Sequence, residues 1–317
     1  MSCHLNSQSN KKNSARHIEV IKERDGQRLD NFLSTQLKGV PKSAIYRLIR
    51  TGQVRVNGKR CKPHSKLLEG DDVRIPPART RQDGTVIVSD SVIRQIAEAT
   101  LYVDENYIVI NKPSGMAVHS GSNLPWGLID VVRQSRPGEY IELAHRIDRE
   151  TSGCVILARS GQALNHVSDQ FRNGSLSKRY LCLMEGQLKE GTTIVDAPVL
   201  KLSTDIGNKM EVHQNGKSAL THFKLLQAFP DASYVEAELF TGRTHQIRVH
   251  AAHLNHPLAV DDRYGNRKTT KKWKKRGLKR LFLHAHQLVF ESISGEKVSV
   301  EAPLPEPLQK VLDTLSS

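Results

Sequence analysis

The chain has 317 residues, 47 of them Lys or Arg and 33 Asp or Glu, which gives a formal net charge of +14 at pH 7. This excess of positive charge indicates a polyanionic partner, for which nucleic acid is the main candidate and a membrane surface the rival. No run of 18 or more apolar residues occurs, so we expect no transmembrane segment. Of the two candidate partners we expect nucleic acid and not a membrane.

The first 16 residues are polar and contain no apolar stretch, which predicts a disordered tail rather than a secretory signal. None of the four cysteines, Cys3, Cys61, Cys154 and Cys182, stands at C-x-x-C spacing. This spacing disfavours a zinc ribbon or a redox pair, and scattered free thiols suit a reducing compartment. We therefore expect a cytoplasmic protein.

Residues 17–77 are predicted to form a small basic α/β domain. The segment Arg16–Ile75 holds 14 Lys or Arg against 7 Asp or Glu, which is half of the net charge of the whole chain. The alternating run Val54–Val56, followed by Asn57-Gly58, predicts a strand and a tight turn, and a further strand is predicted at Val73–Ile75.

Two helices are predicted within this domain. The first begins at Arg28, and the second begins at Pro41 and ends before Gly52. The second helix is expected to turn Ile45 and Ile49 inwards. Its remaining positions include three cations that are candidates for RNA binding: Lys42, Arg47 and Arg50.

Residues 78–99 show little hydrophobic patterning and are predicted to be a linker. A second domain is predicted over residues 100–317. Its expected elements are strands around a turn within Leu101–Asn111, a helix at Ala163–Phe171, and strands at Val155–Ala158, Arg179–Met184, Ala219–Leu226, Tyr234–Phe240 and Leu281–Phe290. Because these strands do not alternate regularly with helices, the pattern predicts an α+β fold with a mixed, mostly antiparallel sheet.

A second basic cluster lies in Asn266–Arg280, which holds nine Lys or Arg and no acidic residue. Such a run is usually a solvated surface loop. The chain is already basic, and Trp273 stands within the run as an aromatic side chain available for stacking. We therefore favour a segment that contacts RNA phosphates.

Asp148 lies between Arg146 and Arg149 in the run His145–Gly153. A carboxylate beside guanidinium groups stays ionised, so it is a poor general acid. It suits the role of a nucleophile, or of a stabiliser for a cationic sugar carbon. The alternative is an Arg-Asp-Arg ion pair on the surface, without a catalytic role.

Two further segments carry candidate functional groups. The run Gly242–His250 follows a predicted strand and is too polar and basic to be expected in the core, while its arginines suit phosphate or carboxylate binding. Tyr180 is either a half-buried strand residue or a ring that stacks on a base pulled from its helix.

Several classes of site are disfavoured. His250, His253 and His256 lack an H-E-x-x-H pattern and a nearby acidic or Cys ligand, so we expect no metal. Neither G-x-x-x-x-G-K-S/T nor G-x-G-x-x-G occurs, which argues against an ATPase or a dinucleotide-dependent enzyme.

Taken together, these motifs resemble the RluA family of pseudouridine synthases over about Leu101–Leu312. The run His145–Gly153 resembles the family signature H-R-L-D-R-D-T-S-G, with Ile147 and Glu150 as conservative departures. Four other segments resemble the remaining family motifs in the expected order: Asn111–His119, Lys178–Leu181, Gly242–His250 and Leu281–Ala285. The segment Gly26–Ile75 resembles the S4 RNA-binding domain, and this domain order is most similar to the RluC type, which acts on uridines of 23S ribosomal RNA.

The resemblance implies an enzyme that converts specific uridines of 23S ribosomal RNA, or of a large-subunit precursor, to pseudouridine. It implies base flipping, no cofactor and a monomer. Asp148 would be the catalytic aspartate, Tyr180 would stack on the uracil and serve in removing its C5 proton, and Arg248 would pair with Asp148. The other implied site residues are Arg146, which would fill the gap left by the flipped base, Leu283, an apolar pocket wall, and Arg243, a phosphate contact.

Two alternatives stay open at this point. One is an RNA-binding assembly factor with an inactive catalytic domain, although Asp148, Tyr180 and Arg248 are all intact. The other is a glycoside or nucleoside hydrolase. That reaction favours a second carboxylate as general acid, and Glu150 is the only candidate close to Asp148 in the sequence.

Overall fold

The computed structural model describes residues 15–37, 40–77, 88–121, 124–204 and 207–316. The chain divides into two compact units, Met1–Ile87 with Ser160–Asn165 and Val88–Arg159 with His166–Ser317. Residues 1–14 of the predicted tail and 78–87 of the predicted linker lie outside the described residues. None of the helices in the described ranges is long and apolar enough to cross a bilayer.

The first unit contains two helices and a small antiparallel sheet. Its elements are β1 (Arg16–Glu19), α1 (Leu29–Gln36), α2 (Lys42–Arg50), β2 (Arg55–Val56) and β3 (Asp72–Ile75), with strand order β1-β3-β2. Asn57 and Gly58 have φ values of 49° and 73°, so the tight turn occurs where Asn-Gly predicts it. The helices α1 and α2 bury their apolar sides in one core, as predicted, with Phe32, Ile45 and Ile49 almost inaccessible.

The second unit contains a large sheet with helices. Its elements are α3 (Asp90–Glu98), β4 (Thr100–Val103), β5 (Tyr107–Lys112), α4 (Leu128–Ser135), β6 (Glu142–Leu143), β7 (Ser152–Ala158), α5 (Gly161–Asn173, of which residues 161–165 belong to the first unit), β8 (Ser177–Glu185), β9 (Thr192–Asp196), β10 (Val199–Thr204), β11 (Gly207–Val212), β12 (Leu220–Phe229), β13 (Ala232–Leu239), α6 (Gln246–His253), α7 (Arg267–Lys275), β14 (Leu283–Glu291), β15 (Lys297–Glu301) and α8 (Glu306–Ser316).

The main sheet has the order β4-β5-β7-β14-β8-β13-β12-β9, with β15 paired to β14 and β6 paired to β7. Every pairing is antiparallel except β7 with β14, which run parallel. The prediction of an α+β fold with a mixed, mostly antiparallel sheet is therefore confirmed. Strands β10 and β11 form a separate hairpin.

The second half of the predicted linker is not a linker in the structure. Asp90–Glu98 is the helix α3, and Val88 and Ile96 are buried in the core of the second unit. The apolar residues Val92, Ile93 and Ile96 recur at helical spacing and pack against the core of the second unit. The sequence prediction gave too little weight to this short amphipathic pattern.

The run Gly242–His250 was expected outside the core, and this expectation is wrong for its second half. Residues 246–251 of α6 are all buried. The polar side chains of this helix can be buried because their polar atoms have hydrogen-bond partners. His250, for example, has Nδ1 2.9 Å from the Thr221 hydroxyl and Nε2 2.9 Å from the Ala197 carbonyl oxygen.

The aromatic residue of the second basic cluster is also placed differently from the prediction. Trp273 on α7 is 1% exposed, and its indole N–H donates to the Glu185 carboxylate at 3.1 Å. It packs in a core with Leu183, Phe282 and Leu308. Trp273 therefore anchors α7 to the second unit and is not available to stack on a base.

Candidate active site

A cavity of about 510 Å³ opens in the second unit, beside β8, β13, β14 and the start of α6. Its lining residues are Ala144–Asp148, Thr151, Phe171, Arg172, Lys178, Tyr180, Leu239–Arg248 and Leu283. The lining thus brings together six of the predicted site residues: Arg146, Asp148, Tyr180, Arg243, Arg248 and Leu283. The other three, Lys42, Arg47 and Arg50, are exposed on α2 of the first unit.

Asp148 lies in the loop between β6 and β7, and the end of this loop depends on Gly153. That glycine has φ +111°, and a Cβ at this position would lie 2.2 Å from the carbonyl oxygen of Ala285 on the parallel strand β14. The start of the loop is fixed by His145, whose Nε2 accepts a hydrogen bond from the backbone N–H of Ile156 at 3.0 Å. Burial lowers the pKa of His145 to about 3, so the ring is neutral and able to accept.

The turn after β5 holds the same loop from the other side. The buried Lys112 ammonium donates to the carbonyl oxygens of Pro113, Met116 and Arg149 at 2.9, 2.7 and 3.2 Å. Ser114 donates to the Glu150 carbonyl oxygen at 2.6 Å. Burial lowers the pKa of Lys112 to about 7. The three carbonyl acceptors match the three N–H groups that only the charged form supplies, which favours the ammonium.

The His245 imidazole and the Arg248 guanidinium, both at the start of α6, approach the Asp148 carboxylate. The distances to its Oδ2 are 3.6 Å from His245 Nε2 and 3.7 Å from Arg248 Nη1. Within the described residues, neither flanking arginine forms an ion pair with Asp148. Arg149 instead donates to the Gly115 carbonyl oxygen at 2.9 Å. The alternative of an Arg-Asp-Arg ion pair is therefore wrong: the charged neighbours of Asp148 come from a distant part of the sequence, and they include Arg248.

Arg248 has a closer partner than Asp148. Its Nε and Nη2 donate to the two oxygens of Asp261, both at 2.7 Å, and the two side chains are 7% and 0% exposed. Burial raises the pKa of Asp261, but the hydrogen bonds and charge of Arg248 outweigh this effect and the net pKa lies below the ordinary value. The bidentate pair fixes the guanidinium beside Asp148.

The turn Asp261–Gly265 supports this pair. Asp261 Oδ1 accepts from the backbone N–H groups of Arg263 and Tyr264 at 2.9 and 3.0 Å. Gly265 is needed because a Cβ there would lie 2.6 Å from the Asp261 carbonyl oxygen. The Tyr264 ring lies under the Arg248 guanidinium, with 5.2 Å between Cζ and the ring centroid.

Tyr180 and Leu283 form an apolar wall of the cavity. They lie on neighbouring strands, where Tyr180 pairs with Ala285 and Leu283 pairs with Cys182, so both side chains lie on the same face of the sheet. Burial and the negative charge of Asp148 raise the pKa of Tyr180, so its phenol stays neutral at neutral pH. A neutral ring in this place suits stacking better than proton abstraction.

Three residues of the site carried no predicted role: His245, Asp261 and Tyr264. Asp261 and Tyr264 belong to the run Asp261–Gly265, for which the sequence indicated no chemical role. A carboxylate partner for Arg248 could have been expected, because a buried arginine requires one. Nothing in the sequence alone identifies which acidic residue that is.

Comparisons with known proteins identify the family of this chain. The family model for RNA pseudouridylate synthase matches residues 106–253, and the S4 domain model matches residues 27–73. The chain is 43% identical to Ribosomal large subunit pseudouridine synthase C of Vibrio vulnificus (strain CMCP6), over 94% of this chain and 96% of that protein. It is 45% identical to the protein of the same name from Yersinia pestis, over 93% and 94% of the two chains.

Among solved structures, human RNA pseudouridylate synthase domain containing 4 matches with a TM-score of 0.60 and 26% identity, over 71% of this chain and 96% of that one. The predicted resemblance is confirmed, including its similarity to the C type. The chain belongs to the RNA pseudouridylate synthase family and is an RNA pseudouridine synthase with an S4 domain.

Proposed function

We propose that this enzyme isomerises specific uridines of 23S ribosomal RNA to pseudouridine, as a cytoplasmic monomer without a cofactor, and that Asp148 is its catalytic aspartate. The observation that carries the proposal is the position of Asp148 in the cavity, close to Arg248 and beside the wall of Tyr180 and Leu283. The names of the relatives, which specify the ribosomal large subunit, support the choice of RNA.

The proposed reaction needs one anionic group, a stacking surface and a closed pocket. The N1–C1′ bond breaks and uracil leaves with the bonding electrons, while the Asp148 carboxylate stabilises the positive charge at C1′. The uracil then turns, C5 bonds to C1′, and C5 loses a proton while N1 gains one. Atoms and electrons balance without an oxidant or a nucleotide, so positioning and electrostatics supply the catalysis.

The uracil must be retained while it turns. We assign this task to the Tyr180 ring and to Leu283, because the uridine has to leave its helix before its C5 atom can be reached. Arg146 is exposed at the cavity, which suits a side chain that fills the gap in the RNA. Arg243 also lines the cavity, and its Nε donates to the Ser218 carbonyl oxygen at 3.0 Å, which fixes the guanidinium for a phosphate contact.

We expect the wild-type chain to form pseudouridine in unmodified 23S transcripts and to release one C5 proton for each residue formed. The measurement is tritium release from C5-tritiated RNA, combined with mapping of the product by carbodiimide labelling and primer extension. A 16S transcript serves as the control. If neither RNA yields pseudouridine while both bind, the assembly-factor alternative replaces the proposed activity.

We further propose that α7 binds the RNA backbone. One of its sides is buried through Thr270 and Trp273, and on a flank Lys272 and Arg276 share one acidic partner, Asp231. Four cations on the other side have no acidic partner in the described part of the chain: Arg267, Lys268, Lys271 and Lys275. Positions 267, 271 and 275 are spaced by four residues and share one side of the helix. The exposed cations Lys42, Arg47 and Arg50 of α2 are proposed to act in the same way.

Replacing the four unpaired cations of α7 with Gln should weaken binding to 23S RNA and lower the slope of log K against log salt by roughly one for each lost phosphate contact. The salt dependence of affinity measures this effect. Lys272→Gln is the matched control on the same helix, since its ammonium is held in an ion pair with Asp231, and its slope should stay near the wild-type value. An unchanged slope in the fourfold variant would show that this surface does not touch RNA.

A further inference from the structure

His245 has an unusual backbone conformation at the start of α6. Its φ of +56° and ψ of 21° lie in the left-handed region, which non-glycine residues rarely adopt. Such strain persists only where surrounding contacts maintain it, and it is concentrated at functional sites. Here the strain places the imidazole between Asp148 and Tyr264.

The contacts of Tyr264 favour one tautomer of His245. The backbone N–H of Met210 donates to the Tyr264 hydroxyl oxygen at 3.3 Å, and that oxygen lies 2.8 Å from His245 Nδ1. With Met210 as a donor to its oxygen, the phenol keeps its own hydrogen to donate to Nδ1. Burial lowers the pKa of His245, although the charge of Asp148 opposes this effect, so the ring is neutral. In this arrangement the one N–H hydrogen of the ring is on Nε2, which faces Asp148.

His245 and Arg248 both approach the same oxygen of Asp148. His245 Nε2 lies 3.6 Å and Arg248 Nη1 lies 3.7 Å from Oδ2. We infer that His245 is a positioning residue, which together with Arg248 holds Oδ2 of Asp148 and leaves Oδ1 to act on the ribose. This inference rests on the proposed function, in which Asp148 is catalytic. The contacts are longer than hydrogen bonds here, and such contacts commonly shorten when substrate binds.

Two substitutions separate this role from a structural one. In His245→Gln the amide nitrogen can take the place of Nε2 and donate to Asp148. In His245→Asn the shorter side chain reaches Tyr264 but not Asp148. Asn tolerates the left-handed region better than Gln does, so backbone strain alone would favour the Asn variant.

We expect His245→Asn to lower kcat on 23S RNA by roughly 10- to 100-fold with KM unchanged, the usual effect of losing a hydrogen bond to a charged group. His245→Gln should stay within about fivefold of the wild type, since it keeps that hydrogen bond. Equal rates for the two variants, or a faster Asn variant, would overturn the inference.

The tautomer gives a second test that does not depend on activity. Nitrogen-15 NMR of the full chain, labelled at histidine, should show His245 as a neutral ring protonated at Nε2, with its signals identified by their loss in His245→Gln. In Tyr264→Phe the donor to Nδ1 is absent, and we expect the Nδ1 signal to shift. A ring protonated at Nδ1 in the wild type would refute the inference, even if the protein proved inactive on every RNA tested.

Discussion

Asp148→Asn should abolish pseudouridine formation while leaving the RNA-binding surface intact. Asn has the same shape and keeps an oxygen towards Arg248, but it has no negative charge with which to stabilise C1′. We expect kcat to fall by roughly 10³-fold or more, which is typical when an essential catalytic group is removed. Affinity for 23S RNA, measured at the same salt concentration, should change by less than about threefold because the phosphate contacts are untouched.

Glu150→Gln is the matched control in the same loop. Glu150 is exposed, and it is its backbone carbonyl oxygen that accepts the hydrogen bond from Ser114. A synthase should tolerate the loss of this carboxylate, whereas a hydrolase that uses Glu150 as its acid should not. Release of free uracil by the wild type, together with inactivity of Glu150→Gln, would support hydrolysis. Equal pseudouridine yields from wild type and Asp148→Asn would exclude Asp148 as the catalytic residue.

The sequence predicted the parts of this molecule that depend on local patterns. Alternation and turn residues located β5, β7, β8, β12, β13 and β14, and the signature around Asp148 identified the family. The hairpin of β10 and β11, as well as α4 and α8, went unpredicted. In α4, for example, the apolar residues Leu128, Ile129, Val131 and Val132 are buried against a core that only the folded sheet creates.

Local sequence patterns also failed to predict which side chains meet in the candidate active site. The positions of Asp148, Tyr180 and Leu283 in one cavity agree with the roles that the resemblance implies. Sequence proximity nevertheless suggested Arg146 and Arg149 as the charges around Asp148, whereas the folded chain supplies Arg248 and His245. Which groups surround a carboxylate is decided by the pairing of distant strands and turns. The run Gly242–His250 could be linked to Asp148 only through the family resemblance, which implied Arg248 as a partner but not His245.

Asp261→Asn should destabilise the second unit by about 3 kcal/mol, since removing one member of a buried ion pair leaves the other charge uncompensated. Arg248 is 7% exposed and cannot recover its hydration without moving. Both tryptophans of the chain, Trp126 and Trp273, belong to this unit. Urea unfolding followed by tryptophan fluorescence therefore reports on the unit that contains the pair.

The double variant Asp261→Asn with Arg248→Met separates the cost of an unpaired charge from a loss of packing. A Met side chain fills much of the space of Arg without its charge, so the double variant should be more stable than Asp261→Asn alone. If the two variants unfold at the same urea concentration, the destabilisation comes from altered packing and not from the guanidinium.

The pH dependence of this difference has a definite sign. Arg248 holds the pKa of Asp261 below its ordinary value of 3.8, so the folded protein binds fewer protons than the unfolded chain in that range. The stability that this carboxylate contributes is thus fully present above pH of about 4 and is lost as the pH falls through the lowered pKa. The gap between wild type and Asp261→Asn should stay constant from pH 7 to about pH 5 and narrow below pH of about 4. A gap that closes between pH 7 and 6 would point instead to a histidine and would contradict an ion pair between Asp261 and Arg248 as its source.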